Sequence, residues 1–312
     1  DATPEEVRLA MKRAKESFGP FRTLSGRKRS SLLCRIAEKI KGSKETLIQT
    51  AERETALGEK RLGMELVRTV SEIERFADFA RKEEWRNRQF EFADPLRQPL
   101  PKPNMVTQRI PIGPVVVIGA CNFPFAISVV GTDTISALAV GCPVIVKSHP
   151  EHAQTCQSIA DLVKEVIEEN NSPEYCFQLV HGQDHLVTRS LVQDPNASCI
   201  AFTGSLVGGQ ALSKLVAERP SPIPFHAEMG SLNAVFALPG AIGADVRKLA
   251  RNYLNAVNLF AGQMCTKPGA FILMEDSSTP AFLDEISEEI RRQRVLPLLN
   301  HSVYLNYLET TD

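Results

Sequence analysis

The chain has 312 residues, 36 basic and 37 acidic side chains, a formal net charge of -1 and 43% hydrophobic residues. That length exceeds one ordinary core and implies two layered domains or one incomplete large one, and the balanced charge offers no cationic face for a nucleic-acid backbone or an anionic membrane surface. Its seven cysteines are widely spaced, without a CxxC pair or a nearby histidine in zinc-ligand register, so no disulfide framework and no metal site is expected and a reducing, cytoplasmic setting is the simplest reading.

The opening "DATPEEVRLAMKRAKESF" is a charged helical pattern that lacks the apolar core and cleavage site of a secretion signal. Leu32, Leu33, Ile36, Ala37 and Ile40 recur at helical spacing, and Leu47, Ile48 and Ala51 continue after a break at Gly42-Ser43, so the first hundred residues read as antiparallel helices. Pro95, Pro99, Pro101, Pro103 and Pro111 end that regime and predict an extended crossing segment or edge strand over 93–109, with oligomerisation as its expected role. The uncharged run from Ile110 to Thr132 is long enough to raise the question of a membrane span, but Pro114, Asn122 and Pro124 interrupt it. It reads as a buried strand over Val115 to Ile118, a tight polar turn and a buried helix. Beyond it, short apolar runs ("PVVVIGA", "PVIVKS", "CFQLVHG", "SCIAFTGS") alternate with helical patterns such as "QSIADLVKEVIEE". Such alternation predicts βαβ units, an α/β fold with a mostly parallel, doubly wound sheet, and ligand sites beyond the carboxyl ends of its strands.

Several residues sit where such a sheet would use them. "FTGSLVGG", Phe202 to Gly209, is a strand-to-helix turn whose amides and helix N-terminus can face a pyrophosphate, or a plain structural turn at even odds. Lys147 ends "PVIVK" and is either a solvated strand-end lysine or a partner for ribose hydroxyls or phosphate. Asn122 in "ACNFPF" either satisfies its own turn or donates to a developing oxyanion. Glu228 in "HAEMGS" is a lone acid in an uncharged stretch, paired structurally or poised as a base. Cys265 in "GQMCTKPG" lies between small residues and a proline-glycine break. It is a buried hydrophobe or an exposed reactive thiol; the other six cysteines read as buried.

Taken in order, "NFP", "VIVK", "FTGS...GG", "AEMGS" and "GQMCTKPG" resemble the aldehyde dehydrogenase superfamily, matched over nearly the whole chain. The forms "CNFP", "VKSHP" and "GQMCTKPG" resemble in particular the branch of NADP-dependent fatty aldehyde and 2,5-dioxovalerate (α-ketoglutaric semialdehyde) dehydrogenases. The resemblance implies N-terminal helices and a Rossmann-type dinucleotide-binding domain over 1–228, and the first part of an α/β catalytic domain over 229–312 whose remainder lies outside these residues. It makes Cys265 the nucleophile, Glu228 the base for hydrolysis and Asn122 an oxyanion donor. Cofactor contacts fall on Lys147, Ser148, His149, Gly204, Ser205, Gly209, Met229 and Gly230, with His149 read more readily as a surface residue. Pro150 occupies a position where many NAD-preferring relatives carry glutamate, so NADP is favoured, with NAD as the alternative. The expected substrate is a small-molecule aldehyde, and the expected full-length assembly a homodimer or homotetramer. A catalytically silent homologue that keeps the cofactor fold is the competing reading.

Overall fold

The computed structural model describes residues 1–275, 277–293 and 296–311. They divide into two compact units, one of residues 1–54 and 58–228 and one of residues 55–57 and 229–312.

In the first unit, α1 (Pro4–Arg22) starts from a Thr3/Glu6 capping box and α2 (Gly26–Gly42) from the Ser25 hydroxyl, which accepts from the Lys28 N–H. Each cap satisfies donors that a helix start leaves orphaned. α3 (Lys44–Thr55) and α4 (Glu59–Lys82) follow, and the apolar stripe of α4 packs on α2. Short strands β1 (Gln89–Glu91) and β2 (Met105–Thr107) pair antiparallel and close the proline-rich stretch into a loop, in which Asp94 bridges Lys102.

The alternation expected next takes the form of β3 (Val115–Ile118), α5 (Thr132–Val140), β4 (Val144–Lys147), α6 (Ala153–Glu169), β5 (Phe177–Val180), α7 (His185–Gln193), β6 (Cys199–Thr203), α8 (Leu206–Ala217) and β7 (Phe225–Glu228). The five strands are parallel in the order β5-β4-β3-β6-β7. Val116, Ile118, Ile145 and Ile200 pack in one core with α1, α7 and α8. Their strand neighbours Val117, Val144 and Val146 are buried too. Because successive side chains point to opposite faces, the sheet is covered on both.

One local expectation changes. The segment from Cys121 to Val130 is a series of turns and the helix begins only at Thr132. One i→i−4 bond forms, from the Ile127 N–H to the Phe123 carbonyl at 3.2 Å, and the β-branched Ile127, Val129 and Val130 followed by Gly131 disfavour its propagation. Cysteine burial is also less uniform than expected: Cys142, Cys156, Cys176 and Cys199 are buried, whereas Cys121 is half-buried and Cys34 is exposed. Cys34 falls off the apolar stripe that buries Leu33, Ile36 and Ala37.

The second unit contains the parallel pair β8 (Ala234–Ala237) and β9 (Ala270–Leu273), with α9 (Pro239–Ala244), α10 (Val246–Asn258), α11 (Thr279–Arg291) and α12 (His301–Thr311). Ala237, Ala250 and Phe282 form its core, with Phe271 stacked 4.8 Å from Phe282.

Candidate active site

Parallel register brings the strand ends level: Ile118 lies opposite Lys147 and Phe202, Lys147 opposite Val180, and Thr203 opposite Glu228. The loops that leave them share one carboxyl edge. From β3 the chain runs outward to β4 and β5 on one side and to β6 and β7 on the other, which makes the β3/β6 crevice the switch point where open α/β sheets take ligands.

Asn122 lies in the turn after β3, half-buried. Gly119 allows the turn to fold back, since a Cβ there would meet the Ile127 carbonyl oxygen at 1.9 Å. From below, the Arg61 guanidinium donates to the Asn122 carbonyl and lies 4.9 Å over the Phe123 ring. One helical turn on, Glu65 accepts from the N–H groups of Phe125 (2.8 Å) and Ala126 (2.9 Å). Burial pushes the Glu65 carboxyl above its ordinary range, while those two donors and Arg61 oppose the shift. Neither residue is singled out by the motifs, yet a signal exists: a charged pair four apart interrupts the same helix face as Leu62 and Leu66.

At the end of β4, Lys147 is 9% exposed. It is therefore not a solvated strand-end lysine: burial pulls its ammonium below the usual lysine range, against the opposing charges of Cys156 and Asp184. Ser148 is buried and donates its N–H to the Val180 carbonyl at 2.8 Å. His149 departs from the surface position expected of it. It is half-buried, stacked on His152 with centroids 5.2 Å apart, and its Nδ1 accepts from the Glu151 N–H. That bond places its proton on Nε2. Burial pushes its pKa down to about 3, helped by the charges of His152 and Lys147, so the ring is neutral at pH 7. Beneath it, His152 Nδ1 lies 3.2 Å from Cys156 Sγ. Glu54 caps the start of α6 by accepting from the N–H groups of Gln154 (2.9 Å) and Thr155 (2.8 Å), where a carboxylate meets the positive helix end.

After β6, the Gly204 N–H donates to the Glu228 carbonyl at 3.1 Å, and a Cβ at Gly204 would meet the Phe202 ring at 2.5 Å. Ser205 caps α8 by accepting from the Gly208 N–H at 3.1 Å, and Gly209 is buried in the first turn. The first N–H groups of α8 have no acceptor inside the helix, which makes its start a fitting cradle for a pyrophosphate. Together with the desolvated Lys147 ammonium, it suits an anionic, hydroxyl-bearing ligand such as a dinucleotide. Glu228 ends β7 with an exposed side chain, and its charge adds to burial in raising the Asp133 carboxyl. Met229 and Gly230, both exposed, open the second unit.

In the second unit, Cys265 is exposed, in a turn closed by the Lys267 N–H to the Met264 carbonyl at 3.1 Å. Phe260, Ala261 and Gly262 before it have φ of 52°, 57° and 70°, three consecutive left-handed residues that set the entry of the turn. The Cys265 carbonyl accepts from the Ser231 hydroxyl and from Asn233 Nδ2 (2.6 Å), and Asn233 Nδ2 also lies 3.0 Å from the Lys267 carbonyl. The Gly269 N–H donates to the Leu232 carbonyl at 2.7 Å. The loop before β8 thus holds the loop before β9. Ser231 and Asn233 are site-shaping residues that the motif reading passes over.

The structure therefore gathers Asn122, Lys147, Ser148, His149, Gly204, Ser205 and Glu228 at one sheet edge of the first unit, and holds Cys265 in the second. Among the described residues no group of three or more His, Cys, Asp or Glu side chains is arranged to hold a metal, and no helix is long and apolar enough to cross a membrane.

The chain is 36% identical over 281 residues to alpha-ketoglutaric semialdehyde dehydrogenase 2 of Azospirillum brasilense, covering 90% of this chain and 54% of that protein. It is 34% identical over 311 residues to the alpha-ketoglutaric semialdehyde dehydrogenase of Acinetobacter baylyi, covering 100% and 59%. The chain spans a little over half the length of these relatives. Its fold is similar to that of an NADP-dependent glyceraldehyde-3-phosphate dehydrogenase from Bacillus halodurans solved with NADP, with a TM-score of 0.82 at 22% identity over 96% of this chain and 61% of that one. The profile described as "Aldehyde dehydrogenase family" matches residues 1–305, and the chain belongs to that family.

Proposed function

We propose that this chain forms the cofactor-binding part and the nucleophile loop of an NAD(P)-dependent enzyme that oxidises an aldehyde to a carboxylate. The observation that carries the reading is the convergence of Lys147, Gly204, Ser205 and Asn122 on one carboxyl edge, in a family of which two members, both alpha-ketoglutaric semialdehyde dehydrogenases, are about one-third identical to this chain. The proposed substrate is a semialdehyde such as 2,5-dioxovalerate, or a fatty aldehyde. The proposed setting is the cytoplasm, and the proposed assembly a homodimer or homotetramer.

The exposed Cys265 thiol gives its proton to water, and its sulfur attacks the aldehyde carbon, forming a C–S bond as the carbonyl pair moves to oxygen. The Asn122 side-chain amide and the Cys265 N–H hold that oxyanion. Such a donor in a dry site is worth about two to three powers of ten in rate. When bound, the nicotinamide cofactor supplies the two-electron oxidant that takes the hydride from the thiohemiacetal carbon. Glu228 then removes a proton from water, whose oxygen attacks the resulting thioester; the C–S bond breaks and the thiolate leaves. Its exposure on the last residue of β7 leaves it open to water. Lys147, Ser148 and His149 would hold the adenosine end of the cofactor, and Gly204, Ser205, Gly209, Met229 and Gly230 would contribute further contacts to it. Pro150 supplies no carboxylate to repel a 2'-phosphate, so NADP is preferred and NAD accepted. The neutral His149 ring contributes a hydrogen-bond donor and no charge.

The test is an intact-mass spectrum of the natural gene product before and after mixing with NADP and 2,5-dioxovalerate or a medium-chain aldehyde. An acyl adduct that maps to Cys265, is absent in Cys265→Ala and accumulates in Glu228→Gln supports the reading. NADP binding without any adduct would instead identify a silent homologue.

A further inference from the structure

We infer that Arg61 and Glu65 are positioning residues that aim Asn122, through one clamp on the backbone of its turn. The inference rests on the proposed role of Asn122 as an oxyanion donor. Between Asn122 and Ala126 the chain is in neither helix nor strand, so no regular ladder fixes its peptide planes and each polar backbone group must find another partner. The Asn122 carbonyl receives the Arg61 guanidinium, and the N–H groups of Phe125 and Ala126 both point at the same Glu65 carboxylate oxygen. The intervening Pro124 has no N–H to offer. The remaining residue, Phe123, is buried with its ring under the Arg61 guanidinium. Two side chains spaced one turn apart on α4 therefore hold the turn at both its ends, while backbone bonds from the Ile127 N–H to the Phe123 carbonyl and from the Thr132 N–H to the Ala126 carbonyl close the remainder.

The energetics point the same way. Arg61 and Glu65 are each 5% exposed, and taking a guanidinium and a carboxylate out of water is costly compared with burying apolar side chains of similar volume. Charged donors and acceptors make shorter, stiffer bonds to backbone groups than neutral ones. Stiffness is what an oxyanion donor requires, since its value depends on being aimed before charge develops. Neither side chain touches the reacting atoms in this scheme; both act through the peptide planes that carry Asn122.

A double-mutant cycle on the natural gene product tests this, read as the pre-steady-state burst of reduced cofactor, with cofactor affinity and thermal unfolding measured alongside. Asn122→Ala is expected to slow the burst about 10²-fold, the usual loss for an oxyanion donor. Arg61→Met is expected to slow it about 10-fold through misplacement, with cofactor affinity unchanged and partial recovery in Arg61→Lys. In the Asn122→Ala background, Arg61→Met should cause no further slowing, because nothing is left to aim. Equal slowing in both backgrounds, or a wild-type burst in a folded Arg61→Met protein, overturns the positioning role. If Arg61→Met fails to fold, Arg61→Lys and Glu65→Gln carry the same cycle with smaller factors. Glu65→Gln keeps an acceptor oxygen for both N–H groups while removing the charge. A wild-type burst in Asn122→Ala overturns the oxyanion role itself and this assignment with it, an outcome distinct from slowing in Asn122→Ala without coupling to Arg61.

Discussion

The loops after β3 and β4 and the loop that carries Cys265 are held by opposite means. In the first unit, buried side chains grip from below: Arg61 and Glu65 under the Asn122 turn, and His152 stacked under His149. In the second, exposed neutral groups, Ser231 and Asn233, hold the Cys265 carbonyl. Buried charge-assisted bonds are stiff and costly to lose, whereas exposed ones exchange readily with water. The difference suits the proposed chemistry, in which an oxyanion donor stays fixed while a cysteine attacks, carries an acyl group and is released.

Gly119→Ala should break the buried side of this comparison most severely. Its Cβ would collide with the backbone of Ile127, so a loss of about 3 kcal/mol in urea unfolding is expected, together with loss of the Asn122 turn. His149→Gln sharpens the same side through pH. The native pKa of His149 is about 3, below its ordinary 6.5, so as pH falls below 6.5 the unfolded chain takes up the proton first and stability declines until about pH 3. At pH 5 that amounts to about 2 kcal/mol relative to pH 7. The variant should unfold with a correspondingly flatter pH profile; an unchanged acid slope would show that His149 is not the group responsible.

On the exposed side, Asn233→Ala should cost about 1.5 kcal/mol, from lost hydrogen bonds and from an alanine in the left-handed region at φ 40°. Its larger effect should be faster amide exchange over 259–269, with the Asn122 turn unaltered. Ser231→Ala, which removes the Ser231 Oγ partner of Asn233 but leaves the Asn233 bonds to the Cys265 and Lys267 carbonyls in place, should cost about 0.5 kcal/mol. A loss from Ser231→Ala as large as that from Gly119→Ala would erase the distinction between the two sides.

Much of this was legible along the chain. The β3 to β6 alternation announced itself as apolar runs bounded by glycine and proline, and Val115 to Ile118 was readable as a strand because its run is short and its flanks are turn-like; β7, in "FHAE", has no such run. The setting of Cys265 was readable as unusual because small residues precede it and "TKPG" ends the segment. The turn from Cys121 to Val130 was less legible, since "FAISVV" is an apolar run after Pro124 and reads as the start of a buried helix. What no local pattern announces there is Glu65, some sixty positions upstream, accepting from the N–H groups of Phe125 and Ala126.

By itself the sequence determined which residue types stand at the strand ends, their order in five motifs and the family they mark, because local periodicity and turn chemistry act over a few residues. Only the tertiary structure decided that Lys147 is desolvated, that His149 is neutral, that Arg61 and Glu65 serve the Asn122 turn, and that Asn233 holds Cys265. Each of those is a matter of burial or of a hydrogen bond between distant positions. Such pairings are set when helices and sheet pack, and no short-range pattern encodes them.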